Sequence, residues 1–195
     1  MGALVEFITD FGDSAVTLSL ATVVLGYLLA VRWFRGALGW GLAIAVCGLA
    51  MVLLKIGFLA CSALPLQTAL RSPSGHAAMS AVVYGGLAGL VASQCRREWL
   101  ALPYAVAHLL VMAVALSRIA LLAHSPQEVM VGLGVGAVCA TLFNLGLGAP
   151  PTSLPPLRWL LGAAVATLLL THGLRLQIEG SLQALVPDLR AMLCP

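Results

Sequence analysis

The chain has 195 residues, 61% of them apolar and only 9% charged, with a net charge of +3 and a mean hydropathy of +1.04. A soluble domain is about 45–50% apolar, so composition excludes a water-soluble fold. So few and so scattered positive charges also exclude a nucleic-acid binder.

Residues 1–13 are short and mildly acidic, and read as an interfacial turn of helix. No Lys/Arg-led signal sequence with a small-residue cleavage site is expected there. Apolar runs follow at about 14–31, 37–59, 76–93, 99–121, 127–147 and 157–174. Each approaches the roughly 20 residues that a hydrocarbon core requires of a helix. The breaks between them are 32–36, 60–75, 94–98, 122–126 and the Pro-rich 148–156. Trp33, Trp40, Trp99 and Trp159 stand at run ends, where an aromatic belt is expected. The tail, about 175–195, alternates apolar and polar residues and reads as an interfacial helix broken at Pro187. With no internal repeat, residues 1–195 form one all-α, polytopic membrane domain of six spans.

Loop charge orients it. Arg32, Arg35, Arg96, Arg97 and Arg158 gather on one side, opposed only by Glu98. The other side holds both termini, with Glu6, Asp10 and Asp13. By the positive-inside rule the arginine-rich side is cytoplasmic, so the opposite end faces the periplasm or exterior. The five cysteines lie singly and read as small buried hydrophobes.

That outward end carries two polar stretches, Arg71-Ser72-Pro73-Ser74-Gly75-His76 and Ser117-Arg118-x5-His124-Ser125-Pro126-Gln127-Glu128. Lys55, near the outer end of the second run, belongs to the same face. Ser72-Pro73 and Ser125-Pro126 both read as helix starts, and a first helical turn offers free N–H groups and a positive dipole end to anions. His124 is the candidate nucleophile, since a neutral imidazole can take up a phosphoryl group. Glu128, one turn on, either orients that imidazole or merely completes a capping box with Ser125. His76 is the candidate general acid. Ser74, Gly75, Arg118, Arg71 and Lys55 are candidate phosphate ligands, with snorkelling the competing reading for Lys55. His108 reads as a packed, hydrogen-bonded core residue and His172 as interfacial. One carboxylate near the histidines is a poor donor set for a phosphoryl-transfer metal, so neither metal nor cofactor is expected.

Pro73-Ser74-Gly75-His76 and Ser117-Arg118-x5-His124-x3-Glu128 resemble the second and third signatures of the type 2 phosphatidic acid phosphatase (PAP2) superfamily, PSGH and SR-x5-H-x3-D. The motif region runs over about 55–128 and the six-span bundle plan covers the rest. The resemblance implies hydrolysis of a lipid phosphate or diphosphate without metal, with His124 as nucleophile, His76 as acid, and Ser74, Gly75 and Arg118 on phosphate. Two departures stand out. The family's first signature is Lys-x6-Arg-Pro, whereas Ser62-Ala63 follows Lys55 at that spacing; Arg71 would take the arginine's place from elsewhere in the loop. The third-signature Asp is Glu128 here.

The expected protein is thus a lipid phosphate phosphatase of an inner (plasma) membrane. Its substrate would be presented from the bilayer: undecaprenyl diphosphate, phosphatidylglycerol phosphate or phosphatidic acid. A lipid phosphotransferase, or a non-catalytic lipid-binding or transport protein, is the alternative. The small residues Gly85-Gly86 and Gly132–Gly136 suit close helix packing, and leave oligomeric state open.

Overall fold

The computed structural model describes residues 2–60, 72–151 and 157–176. Arg71 and the tail helix expected around Pro187 lie outside the described residues. Seven α-helices follow in order: α1 Gly2–Asp10, α2 Ser14–Ala30, α3 Phe34–Ala60, α4 Gly75–Ala92, α5 Ala101–Ala120, α6 Pro126–Gly146 and α7 Leu157–Thr171, with a 3-10 turn at Arg97–Trp99 before α5. The apolar runs were therefore legible to within about three residues at each end.

Among the described residues, five stretches are long and apolar enough to cross a membrane: Gly2–Ala30, Phe34–Phe58, Gly75–Ala92, Arg97–Ala120 and Pro126–Gly146. The protein is a polytopic helical membrane protein. The sixth run is shorter than expected, because α7 has 15 residues, roughly 22 Å at 1.5 Å per residue. Residues 1–13 also differ from a single interfacial turn. They form a nine-residue helix whose Thr9 and Asp10 are buried, tied to α2 by the turn bond from Asp13 N–H to the Asp10 carbonyl.

Helix α4 sits at the centre, packed on α6, α5 and α3. Glycine makes the α4–α6 approach possible. A Cβ on Gly132 would strike the Ser74 carbonyl oxygen, and one on Gly136 the Ala78 carbonyl oxygen. Backbone cannot step aside as a flexible side chain can, so these small residues serve packing within the chain. Gly136→Leu is expected to force α4 and α6 apart, at a cost of about 1–3 kcal/mol or more. A thermal melt in detergent checks this, and an unchanged midpoint would refute it.

Two tryptophans depart from the belt reading. Trp99 and Trp159 are exposed, but Trp33 and Trp40 are buried. Trp40 donates its Nε1 proton to the Ala21 carbonyl at 2.8 Å and meets Phe143 edge-on, with ring centroids 5.4 Å apart. A tryptophan near a run end is drawn inward when a core partner satisfies its N–H. His108 departs in the opposite sense: it is exposed, in an outer groove with Tyr104, Thr141 and Asn144. Cys47 and Cys139 are free and buried, as small hydrophobes should be.

Candidate active site

Local rules build the site at the end of the bundle opposite the arginine-rich turns. Helix α6 starts as the sequence reads it. Ser125 caps it, Pro126 occupies the first turn, and the Glu128 N–H donates to Ser125 Oγ at 3.3 Å while Ser125 N–H donates to Glu128 Oε2 at 2.9 Å. Helix α4 starts two residues later than Ser72-Pro73 suggests: Ser74 is its cap, accepting from Ala77 N–H at 3.4 Å. The Ser72 N–H is committed elsewhere, to Glu128 Oε1 at 2.7 Å. Ser72 and Pro73 stand outside the helix.

The spacing Arg118-x5-His124 also has a structural cause. Helix α5 ends at Ala120, Leu122 takes a left-handed φ of 54°, and Ala123 N–H returns to the Arg118 carbonyl at 3.1 Å. This six-to-one bond is a Schellman closure. The His124 N–H reaches the same carbonyl at 3.3 Å, which fixes the histidine beside the last turn of α5.

Glu128 does both things between which the sequence left a choice. Besides completing the capping box, its Oε2 lies 3.2 Å from His124 Nδ1. A carboxylate accepts only, so Nδ1 carries the proton and the lone pair falls on Nε2. His124 and Glu128 are 8% and 6% exposed, so water competes little for this contact. The Ser74 N–H donates to the Glu128 carbonyl at 3.0 Å. One residue thus locks the start of α4, the start of α6 and the histidine into a single unit.

The other candidates assemble around that unit. His76 and Gly75 occupy the first turn of α4, where backbone N–H groups point out of the helix end. Lys55 is buried rather than snorkelling; its Cε and Nζ lie 3.9 Å from where a Gly75 Cβ would stand. Lys55, Gly75 and His76 line one cleft of about 250 Å³ between α2, α3 and α4, whose other wall includes Leu18, Ile44, Met51 and Met79. Arg118 Nη1 donates to Thr9 Oγ1 at 3.2 Å. Ser74 is fully buried, so its observed work is capping α4.

Two residues of the site were not singled out from sequence, Thr9 and Asp13. Asp13 caps α2 through Ala15 N–H at 2.8 Å, accepts from Leu176 N–H at 3.1 Å, and sets Oδ2 3.6 Å from His76 Nε2. An Asp immediately before an apolar run is an N-cap signal, and that signal was available. Gly12, just before it, fits where a Cβ would come within 2.5 Å of Val114 Cγ1 and 3.3 Å of His76 Cβ. The segment after α7 straps this corner. His172 Nε2 lies 3.0 Å from the Phe7 carbonyl, and its ring packs on Phe7 and Phe11. Arg175 pairs with Asp10 at 3.0 Å and Glu6 at 3.6 Å; the Asp10 hydrogen bond holds its guanidinium above its ordinary pKa.

Comparison with known proteins agrees with the motifs. Residues 58–148 match the PAP2 superfamily. Human glucose-6-phosphatase 3 (Homo sapiens) is 36% identical over 83 residues, which cover 40% of this chain and 24% of that protein. The match thus spans about a quarter of the relative's length. No solved structure matches the chain. The Pro73-Ser74-Gly75-His76 and Ser117-Arg118-x5-His124-x3-Glu128 stretches, at one end of the bundle, both fall within residues 58–148, the span that is similar to the PAP2 superfamily.

Proposed function

We propose that the protein hydrolyses the phosphate or diphosphate ester of a membrane lipid through a phosphohistidine, at the outer face of an inner (plasma) membrane. The observation that carries this reading is the buried Glu128 carboxylate against His124 Nδ1, close to the half-buried Gly75 and His76 at the start of α4. His124 Nε2 attacks phosphorus as the ester P–O bond breaks, and His76 gives a proton to the departing oxygen. Water then attacks the phosphohistidine, giving its proton to His76. The P–N bond breaks and inorganic phosphate leaves, so both histidines return to their starting states. Arg118, Lys55 and the N–H groups of Gly75 and His76 offset charge on the phosphoryl oxygens. Arg71 joins them in this proposal from the sequence alone.

The cleft supports a lipid over a soluble ester. Its polar end is at His76 and Lys55, and its apolar wall descends along α2, α3 and α4, as a head group with an attached chain requires. The glucose-6-phosphatase resemblance favours a second reading, a water-soluble sugar phosphate. Orientation rests on Arg32, Arg35, Arg96, Arg97 and Arg158 at the opposite end.

Phosphate release by purified protein in detergent, with EDTA present, tests the proposal. Undecaprenyl diphosphate, phosphatidylglycerol phosphate, phosphatidic acid and glucose 6-phosphate are compared in parallel. Release from a lipid that survives EDTA is expected. Release from glucose 6-phosphate alone would replace the lipid reading, and release abolished by EDTA would sink the metal-free mechanism.

A further inference from the structure

The two histidines of the site have different carboxylate partners. His124, in the turn just before α6, has Glu128 in the first turn of that helix. His76 faces Asp13, 63 residues earlier, across the junction of α1 and α2. Asp13 is 5% exposed, and its two oxygens divide their work. Oδ1 accepts from Ala15 N–H and Leu176 N–H, which caps α2 and holds the strap after α7. Oδ2 is the atom at 3.6 Å from His76 Nε2. A cap alone needs only one of the two oxygens.

Geometry explains the second. A general acid works only with its ring aimed at the leaving oxygen, and a buried carboxylate facing one ring nitrogen can hold the other toward the cleft that His76 shares with Lys55. Beside it, a Cβ built on Gly12 would come within 3.3 Å of the His76 Cβ, so a larger residue there would crowd this corner.

We propose that Asp13 is a positioning residue for His76: its carboxylate orients the ring so that the proton His76 gives reaches the leaving oxygen. This rests on the phosphatase reading above. With Nε2 turned toward Asp13, Nδ1 carries the proton to the leaving oxygen as the P–O bond breaks, and the neutral ring then takes a proton from the attacking water. Asp13 itself neither gains nor loses one.

Asp13→Asn separates the two duties. Asparagine caps helices about as well as aspartate, and its amide oxygen still serves Ala15 and Leu176. The charge facing His76 is lost. The experiment measures kcat/KM, which reports the phosphoryl-transfer step and not the later hydrolysis, of full-length protein in detergent on two esters, octyl phosphate and 4-nitrophenyl phosphate. An alkoxide needs protonation to leave, whereas nitrophenolate leaves without it. Asp13→Asn is expected to slow octyl phosphate about 10- to 100-fold, part of the 10²–10⁴ that a general acid supplies, and to change 4-nitrophenyl phosphate by less than about threefold. Adding Asp13→Asn to His76→Ala should cost nothing further, because both act through one proton transfer.

Equal losses on both esters, no loss on either, or additive losses in the double variant would each overturn the role given to Asp13. Wild-type protein inert toward both esters is a different result, since it would remove the phosphatase reading on which the role depends.

Discussion

Replacing His124 with alanine is expected to lower turnover by about 10⁴-fold or more, and to abolish any covalently phosphorylated protein. The magnitude follows from the role proposed for the residue. A nucleophile whose removal closes the covalent route leaves only the residual acceleration that binding and charge stabilisation provide. The fold should survive, because His124 is not a cap and its backbone N–H bond to the Arg118 carbonyl is retained in alanine. Two measurements check the expectation. Steady-state phosphate release gives the loss in rate, and a rapid quench in base with radiolabelled substrate preserves an alkali-stable phosphoramidate on the wild-type protein. A His124→Ala protein that melts like wild type yet still releases phosphate would place the nucleophile elsewhere. His76→Ala should behave differently. It retains the nucleophile, and its defect should depend on how basic the leaving oxygen is.

Much of this arrangement was legible in the sequence, and the limits have physical causes. Helix positions were readable because long apolar runs interrupted by charge or proline admit one structure in a bilayer. The start of α6 was readable because Ser125, Pro126 and Glu128 specify a cap at adjacent positions, where chain neighbours decide the geometry. The start of α4 was misplaced by two residues because its determinant is not local. Glu128, 56 positions away, takes the Ser72 N–H and so moves the cap to Ser74. Trp40 was misassigned for the same kind of reason: a buried carbonyl on α2 is invisible from its position in a run. Asp13 is the clearest case. Its cap role is written in the residues that follow it, but its nearness to His76 depends on how α1 and α2 meet α4. Three-dimensional packing, not spacing, brings that pair together.

Glu128 carries the other large effect, and two substitutions divide its roles. Glutamine has one acceptor oxygen where glutamate has two, so it can serve Ser72 N–H from the Oε1 side or Ser125 N–H from the Oε2 side, but not both. It removes the charge that stabilises positive charge developing on His124, and its amide nitrogen offers a proton where the imidazole Nδ1–H needs an acceptor. Glu128→Gln strands one backbone donor and is therefore expected to lower the melting midpoint by less than Glu128→Ala does, and to lose about 10²–10⁴ in kcat. The upper figure is that of the analogous carboxylate-to-amide change in a serine protease triad. Alanine removes more. The Ser125 and Ser72 N–H groups lose their acceptor at a site that water barely reaches. The lost cap costs about 1 kcal/mol, and a stranded donor about 1–3 kcal/mol. The start of α4 also loses its tether, so the first-turn N–H groups of Gly75 and His76 are no longer held against His124. Glu128→Ala should then lower the melting midpoint by about 5–15 °C on the usual scaling for a chain of this size, and lower activity at least as far as Glu128→Gln. Glu128→Asp is the informative third variant. Aspartate restores the family's third-signature residue and the charge, but the carboxylate is one methylene further from Ser72 and His124. Activity recovered above Glu128→Gln, with a midpoint still below wild type, would show that charge governs catalysis while side-chain length governs the tether. A Glu128→Gln protein as active as wild type would remove the carboxylate from the mechanism and leave Glu128 only its role in joining α4 to α6.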